Sequence, residues 1–275
     1  SGSGIMPYAT QQLNDKTVLI TGASAGIGEA TARRFAEEGC RKLVLLARRV
    51  DRLEKLSKEL ADEYGAQCHC IQIDLSAELE RIVGLPSELP ADFHHVDILV
   101  NNAGLALGKN SADANELSPM QAMINTNVTA AITVASTFLK HMKTRGSGHV
   151  INVGSIAGHE SYAGGSVYAA TKHAITAFTT AARHDMVGTP IRVTCISPGA
   201  VQTEFSVVRF GGDQAKADAV YKDLVPLVAA DIADQIWYAA TRPAHVQVAD
   251  IIALCTNQSG AMDLARVGPS LGASP

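Results

Sequence analysis

Short runs rich in Val, Ile and Leu recur along the chain at 17–21, 43–47, 69–73, 97–101, 149–153, 191–196 and 248–254. Between them lie longer stretches in which apolar residues return every three or four positions, as at 26–38, 51–64 and 166–186. A short, nearly continuous apolar run suits a strand buried on both faces, and the longer period suits a helix laid over it. Their alternation predicts an α/β chain: a doubly wound, mainly parallel sheet of seven strands with helices on both faces. Gly39, Gly65 and Gly188 stand where helices are expected to stop, and Ser118 ahead of Pro119 predicts an N-cap followed by proline at the first helical position. No repeat or linker interrupts the pattern, so 16–275 reads as one domain and 1–15 as an extension, with 1–5 resembling an expression scar. Ligands of such sheets bind at the carboxyl ends of the strands.

Composition narrows the partners. With 47% hydrophobic and 18% charged residues and a net charge of −4, nothing favours nucleic acid or an anionic membrane surface as a partner. No apolar run is expected to span a membrane, and no basic, hydrophobic leader precedes the first strand, which predicts a cytoplasmic protein. Five cysteines without a paired framework suit a reducing compartment. Cys68, His69 and Cys70 invite a metal reading, but on an alternating strand the two thiols face one side and the imidazole the other. They read as strand packing, and no metal site is expected.

The chemistry gathers at strand ends. After the first strand comes Thr21-Gly22-Ala23-Ser24-Ala25-Gly26-Ile27-Gly28, running into a helix. Glycines let the backbone turn sharply and approach a pyrophosphate, for which the helix N-terminus supplies unpaired N–H donors. The second strand ends Leu46-Ala47-Arg48-Arg49, with no carboxylate for a ribose 2′-hydroxyl and two guanidiniums suited to a 2′-phosphate. That predicts NADP(H) as cofactor. Tyr168 and Lys172 stand one helical turn apart, thirteen positions after Ser155. An ammonium ~4 Å from a phenolate, at an effective dielectric of ~20, is worth about 4 kcal/mol, enough to bring a tyrosine from pKa ~10 toward ~7. Asn127 shares a helical row with Ile124 and Ala131, on a face marked by Met120, Met123, Val128, Ile132, Ala135 and Leu139, so its amide is expected to be buried and hydrogen-bonded. Asp74 alone reads as a cap for the residues from Ser76 onward.

Together these residues resemble the short-chain dehydrogenase/reductase family over about 16–265. Its motifs are matched by Thr21 to Gly28, by Asn101-Asn102-Ala103-Gly104, by Asn127, Ser155, Tyr168-Ala169-Ala170-Thr171-Lys172, and by Pro198-Gly199 with Thr203. The resemblance implies a Rossmann-type fold and a tetrad of Asn127, Ser155, Tyr168 and Lys172. It places Gly22, Ser24, Ala25, Gly26, Ile27 and Gly28 on the cofactor phosphates and Asp74, Leu75, Asn102, Ala103 and Gly104 beside the adenosine. Val201 and Thr203, after Pro198 and Gly199, would face the nicotinamide half. Tyr168 would exchange the alcohol proton, Ser155 hold the substrate oxygen, Lys172 lower the tyrosine pKa and bind ribose hydroxyls, and Asn127 place a relay water. A homotetramer built on the helices of Asn127 and Tyr168 is implied as well.

The loop 201–210, with 221–223, 243–246 and 256–259, is similar to the NADP-dependent 3-hydroxy acid dehydrogenases that also oxidise L-serine and L-allo-threonine. A carboxylate substrate needs a fixed cation, for which Arg209 is the candidate unless it is spent on Glu204 or Asp223; Tyr162 lines the pocket by resemblance. A broad ketone or diketone reductase, and a non-catalytic NADP(H) sensor, are the alternatives.

Overall fold

All seven apolar runs enter one parallel sheet. In the computed structural model, which describes residues 8–267, the first half of the chain folds as β1 (Thr17–Thr21), α1 (Gly26–Glu37), β2 (Lys42–Ala47), α2 (Val50–Tyr64), β3 (Gln67–Gln72), α3 (Leu79–Glu88) and β4 (Val96–Asn101). It continues through α4 (Leu117–Ile124), a π-helical turn at Asn125–Ala130, α5 (Ala131–Arg145), β5 (Gly148–Val153), α6 (Ser166–Asp185) and β6 (Ile191–Pro198). The end comprises β7 (Val201–Gln202), α7 (Glu204–Arg209), α8 (Gln214–Tyr221), β8 (Leu227–Val228), α9 (Ala229–Thr241) and β9 (Asp250–Ala253). The strand order is β3-β2-β1-β4-β5-β6-β9, with β7 and β8 as a separate short pair. Because the winding reverses between β1 and β4, the crevice outside their carboxyl ends is the natural ligand position.

Each face of the sheet has its own core. Phe35, Leu53, Leu60 and Ile236 fill one side under α1, α2 and α9, and Ile82, Leu85, Phe138 and Leu139 fill the other under α3 and α5. On β3, Cys68 and Cys70 pack toward the first core while the His69 ring lies 5.7 Å from that of Phe93, as strand alternation requires. Leu13 is buried in the first core, and the Gln11 N–H donates to the Thr241 carbonyl, so the packed body begins ahead of β1. Residues 1–5 lie outside the described residues.

Several local expectations are corrected. Helix α4 starts at Leu117 with Glu116 as N-cap, which moves Pro119 from the first to the third helical position. The shift is tolerated because N–H groups throughout the first turn lack intrahelical partners. Leu117–Arg145 is also long and apolar enough, by length and composition, to cross a membrane, contrary to the sequence reading. Its Val134, Phe138, Leu139 and Met142 are buried against the sheet, however, and it serves as a core helix. Gly188 has φ +81° but stands beyond Met186, where α6 is capped.

The helix bearing the glycine turn is braced from behind. Phe35 of α1 meets Trp237 of α9 edge to face at 5.3 Å. Arg192 of β6 is buried and donates to the carbonyls of Ala239, Ala240 and Arg242, satisfying the C-terminal end of α9 with a cation where the helix dipole favours one. Arg192→Ala strands these acceptors and is expected to cost about 2–3 kcal/mol in urea unfolding. A midpoint equal to that of the parent protein would refute this bracing role.

Candidate active site

The glycine turn has the shape that its composition predicts. Gly22 and Gly26 adopt φ +67° and +56°. A Cβ on Gly28 would stand 2.3 Å from the Gly22 carbonyl oxygen, and one on Gly22 would meet Asn102 Nδ2 at 3.0 Å. Steric overlap excludes a side chain at Gly28, and the left-handed backbone disfavours one at Gly22 and Gly26. The N-cap of α1 is Ala25, whose side chain caps nothing, so the first-turn N–H groups are left to an external acceptor. The Thr21 hydroxyl accepts from the N–H groups of Asn102 and Ala103, both at 2.9 Å, and Asn102 Nδ2 donates to the Thr21 carbonyl at 3.0 Å. These bonds fix the ends of β1 and β4 on either side of the crevice.

A cleft of about 600 Å³ opens over this edge, within the usual range for ligand sites. Gly22, Ser24, Ala25, Gly26 and Ile27 form its floor, while Gly28 lies behind them. Arg48, Arg49, Asp74 and Leu75 line one end. Asn102, Ala103, Gly104, Pro198, Gly199, Val201 and Thr203 line the middle. The Asp74 carboxylate accepts from the N–H and hydroxyl of Ser76, so it does cap the following turn while also facing the cleft. The absence of a side chain at Gly199 admits Gln258, whose Oε1 would lie 2.1 Å from a Cβ there and accepts from the Ala200 N–H.

Ser155, Tyr168 and Lys172 converge at the other end. Ser155 follows β5 and caps a short 3-10 turn, its Oγ accepting from Ala157 N–H at 3.1 Å. Tyr168 and Lys172 come from the first turns of α6, and Lys172 Nζ donates to the Val153 carbonyl at 3.0 Å. That ammonium sits 5.9 Å from the centre of the Tyr168 ring. Desolvation by the cleft walls pushes the Tyr168 phenol up to about 12, opposed by the facing Ser155 hydroxyl, and burial brings Lys172 down to about 8. The anticipated depression of the tyrosine is thus reversed. The lysine is held on a backbone carbonyl rather than at the phenol oxygen, and burial opposes both charged forms. The resting phenol is neutral.

Asn127 is 2% exposed, yet Ile124, on the row expected to be buried, is 41% exposed. The π turn at 125–130 changes the angular step, so helical rows do not run through it. The Asn127 Oδ1 accepts from Leu105 N–H at 2.8 Å, and its Nδ2 donates to the Leu105 carbonyl and to Thr171 Oγ1. Both amide donors are engaged, which leaves the side chain able to offer a water only an acceptor. It ties the segment after β4 to α6.

Helices α7 and α8 form a flap over the cleft, and here sequence reasoning missed most. Phe205 lies 5.7 Å from the Tyr168 ring. Arg209 pairs with neither Glu204 nor Asp223: its Nε donates to the Gly108 carbonyl, its Nη2 to the Tyr162 hydroxyl, and its guanidinium stands 5.8 Å from the Tyr162 and Tyr168 rings. Glu204 instead reaches Arg49 and Arg52. The C-terminal segment adds Gln258, Met262 and Arg266 to the lining. Only the likeness of 256–259 to dehydrogenase loops pointed toward that segment.

Residues 16–211 match the family model described as short chain dehydrogenase. The chain is 44% identical, over 93% of its own length and 98% of the relative's, to the NADP-dependent 3-hydroxy acid dehydrogenase of Schizosaccharomyces pombe. It is 42% identical to sulfoacetaldehyde reductase 2 of Chromohalobacter salexigens, covering 88% of this chain and 95% of that one. Among solved structures, the closed form of serine dehydrogenase complexed with NADP+ superimposes with a TM-score of 0.83 at 41% identity, covering 89% and 97% of the two chains.

The inverted titration is measurable. Difference absorbance at 295 nm between the unliganded protein and Tyr168→Phe is expected to contain no Tyr168 phenolate below about pH 11, a unit under the value of about 12. A phenolate step near pH ~7 would overturn this ordering.

Proposed function

The chain belongs to the short-chain dehydrogenase family, and from that premise we propose that it is an NADP(H)-dependent oxidoreductase acting on a small 3-hydroxy acid such as L-serine, L-allo-threonine or 3-hydroxybutyrate. The observation that carries the substrate class is Arg209. It is a guanidinium beside the Tyr168 ring with no carboxylate partner among the described residues. A site that holds an unpaired cation next to the reacting groups favours a substrate that brings an anion. The carboxylates of 3-hydroxy acids and serine, and the sulfonate of sulfoacetaldehyde, all meet that requirement. A neutral ketone or diketone leaves Arg209 uncompensated, and a sensor has no use for a half-buried phenol with a buried serine and lysine around one point.

The cofactor fits the cleft: the glycine turn and the α1 N-terminus take the pyrophosphate, Asp74, Leu75 and Asn102 to Gly104 the adenosine side, and Arg48 and Arg49 the 2′-phosphate. When bound, its nicotinamide donates hydride to, or accepts it from, the carbon that carries the reacting oxygen. In reduction, neutral Tyr168 gives its proton to that oxygen while the Ser155 hydroxyl hydrogen-bonds it, stabilising charge as it develops. Lys172, with a pKa of about 8, stays mainly protonated at neutral pH and keeps a cation beneath the phenol as the proton leaves. In oxidation the roles reverse, and the free enzyme must first surrender the Tyr168 proton. Asn127 acts as a positioning residue through Leu105 and Thr171. Val201 and Thr203 close the nicotinamide end, with Tyr162 holding Arg209.

The same reading takes 16–275 as one domain in the cytoplasm, where its five cysteines stay as thiols. It assembles as a homotetramer through α4, α5 and α6. Exposed Leu117 and Ile124, and exposed Ala170, Ala177 and Ala181 along one side of α6, support that assembly.

Tyr168→Phe is expected to lower kcat by about 10²–10⁴ with little change in NADPH affinity by fluorescence titration; unimpaired turnover would remove Tyr168 from the mechanism. Arg209→Ala is expected to raise KM for L-serine or 3-hydroxybutyrate about 10- to 100-fold and to affect a neutral secondary alcohol far less. Equal effects on acid and alcohol would eliminate the carboxylate clamp.

A further inference from the structure

Glu204, the first residue of α7, spans the cleft mouth to the opposite wall. Its Oε2 accepts from Arg49 Nη1 at 2.9 Å and its Oε1 from Arg52 Nη1 at 2.7 Å. Arg49 is held a second time, through Nε, by Ser24 Oγ in the glycine turn at 3.3 Å. Two of its edges are therefore anchored, and its Nη2 amino group has no partner among the described residues. The arginines shift the Glu204 carboxylate below its ordinary range, Arg52 more than Arg49, so the bridge persists at neutral pH. Arg48 and Arg49 line this end of the cleft, while Arg52, three residues beyond Arg49, holds the other Glu204 oxygen from outside the lining. The surplus positive charge suits a phosphate monoester carrying about −1.5 to −2.

We infer that Glu204 is a positioning residue for the cofactor's 2′-phosphate: braced by Arg52, it presets Arg49 for that group and makes α7 respond to its arrival. The inference rests on the NADP(H) reading above. A free surface arginine must be ordered before it can bind a phosphate, at a cost in affinity, and anchoring through Glu204 and Ser24 removes part of that cost beforehand. Because Glu204 belongs to the flap, whatever orders Arg49 and Arg52 also orders the start of α7, and the effect is reciprocal. From the same helix Phe205 and Arg209 reach Tyr168, so 2′-phosphate recognition at one end of the cleft is connected to the substrate end by one short helix.

The test uses two fragments that differ by the 2′-phosphate alone, 2′,5′-ADP and 5′-AMP, titrated calorimetrically into the parent protein, Glu204→Gln and Glu204→Asp. The preference for 2′,5′-ADP should fall about fivefold in Glu204→Gln, the lower end of ordinary coupling, and recover in part in Glu204→Asp. Binding of 5′-AMP reports that the cleft is folded. In an Arg49→Met, Arg52→Met background, Glu204→Gln should produce no further loss. Hydrogen exchange at the α7 amides should slow with 2′,5′-ADP but not 5′-AMP, and only when Glu204 is present. A preference unchanged or increased in Glu204→Gln overturns the inference, an increase meaning that the carboxylate competes with the phosphate. If the parent protein itself fails to prefer 2′,5′-ADP, the NADP(H) reading is what fails, and this inference falls with it.

Discussion

The Thr21 hydroxyl holds the ends of β1 and β4 together while their following segments part, one into the glycine turn and the other into Asn102-Ala103-Gly104. Everything else in the cleft is measured from this point. The neighbouring strands deliver Arg48 and Asp74 on one side and Ser155 and Gly199 on the other, all at carboxyl ends, because a parallel sheet aligns its strands in one direction. The bonds to Thr21 stand in for ladder hydrogen bonds where the strands diverge, so an opening at the switch point leaves few backbone groups unsatisfied.

Burial governs the chemistry of that opening. Desolvation favours the neutral Tyr168 phenol and weakens the hold of Lys172 on its proton. Burial also explains why Asn127 must saturate its amide with Leu105 and Thr171, where the π turn aims it. The Asn127 contacts make one unit of the segment after β4, the π turn and α6.

The flap lies under a different regime, exposed and held by charge. Its start is bridged to Arg49 and Arg52 through side chains that are each nearly half exposed, and its end rests on Gly108 and Tyr162 through Arg209. Contacts of that kind are individually weak and screened by salt, which suits a segment that must admit and release ligands.

The sequence by itself determined the seven strands, their parallel winding, the glycine turn and the placement of Ser155, Tyr168 and Lys172 near one another. Each of these is written in local spacing: runs of apolar residues, a glycine cluster between strand and helix, a four-residue step along α6. It also foresaw a buried Asn127, though through a helical row that the π turn breaks, since one extra residue in a turn changes which side chains share a face. The tertiary structure alone decided what those groups experience. The pair arithmetic for Tyr168 and Lys172 assumed an ammonium at the phenol oxygen, whereas the folded chain offers that ammonium the Val153 carbonyl and desolvates both partners. Glu204 meets Arg49 across 155 residues, and Arg209 meets Gly108 across 101, so no local pattern could record either contact. Spacing along a chain fixes which residues share an element, but solvation and long-range contact fix their charge and their partners, and those exist only once the chain has closed around them.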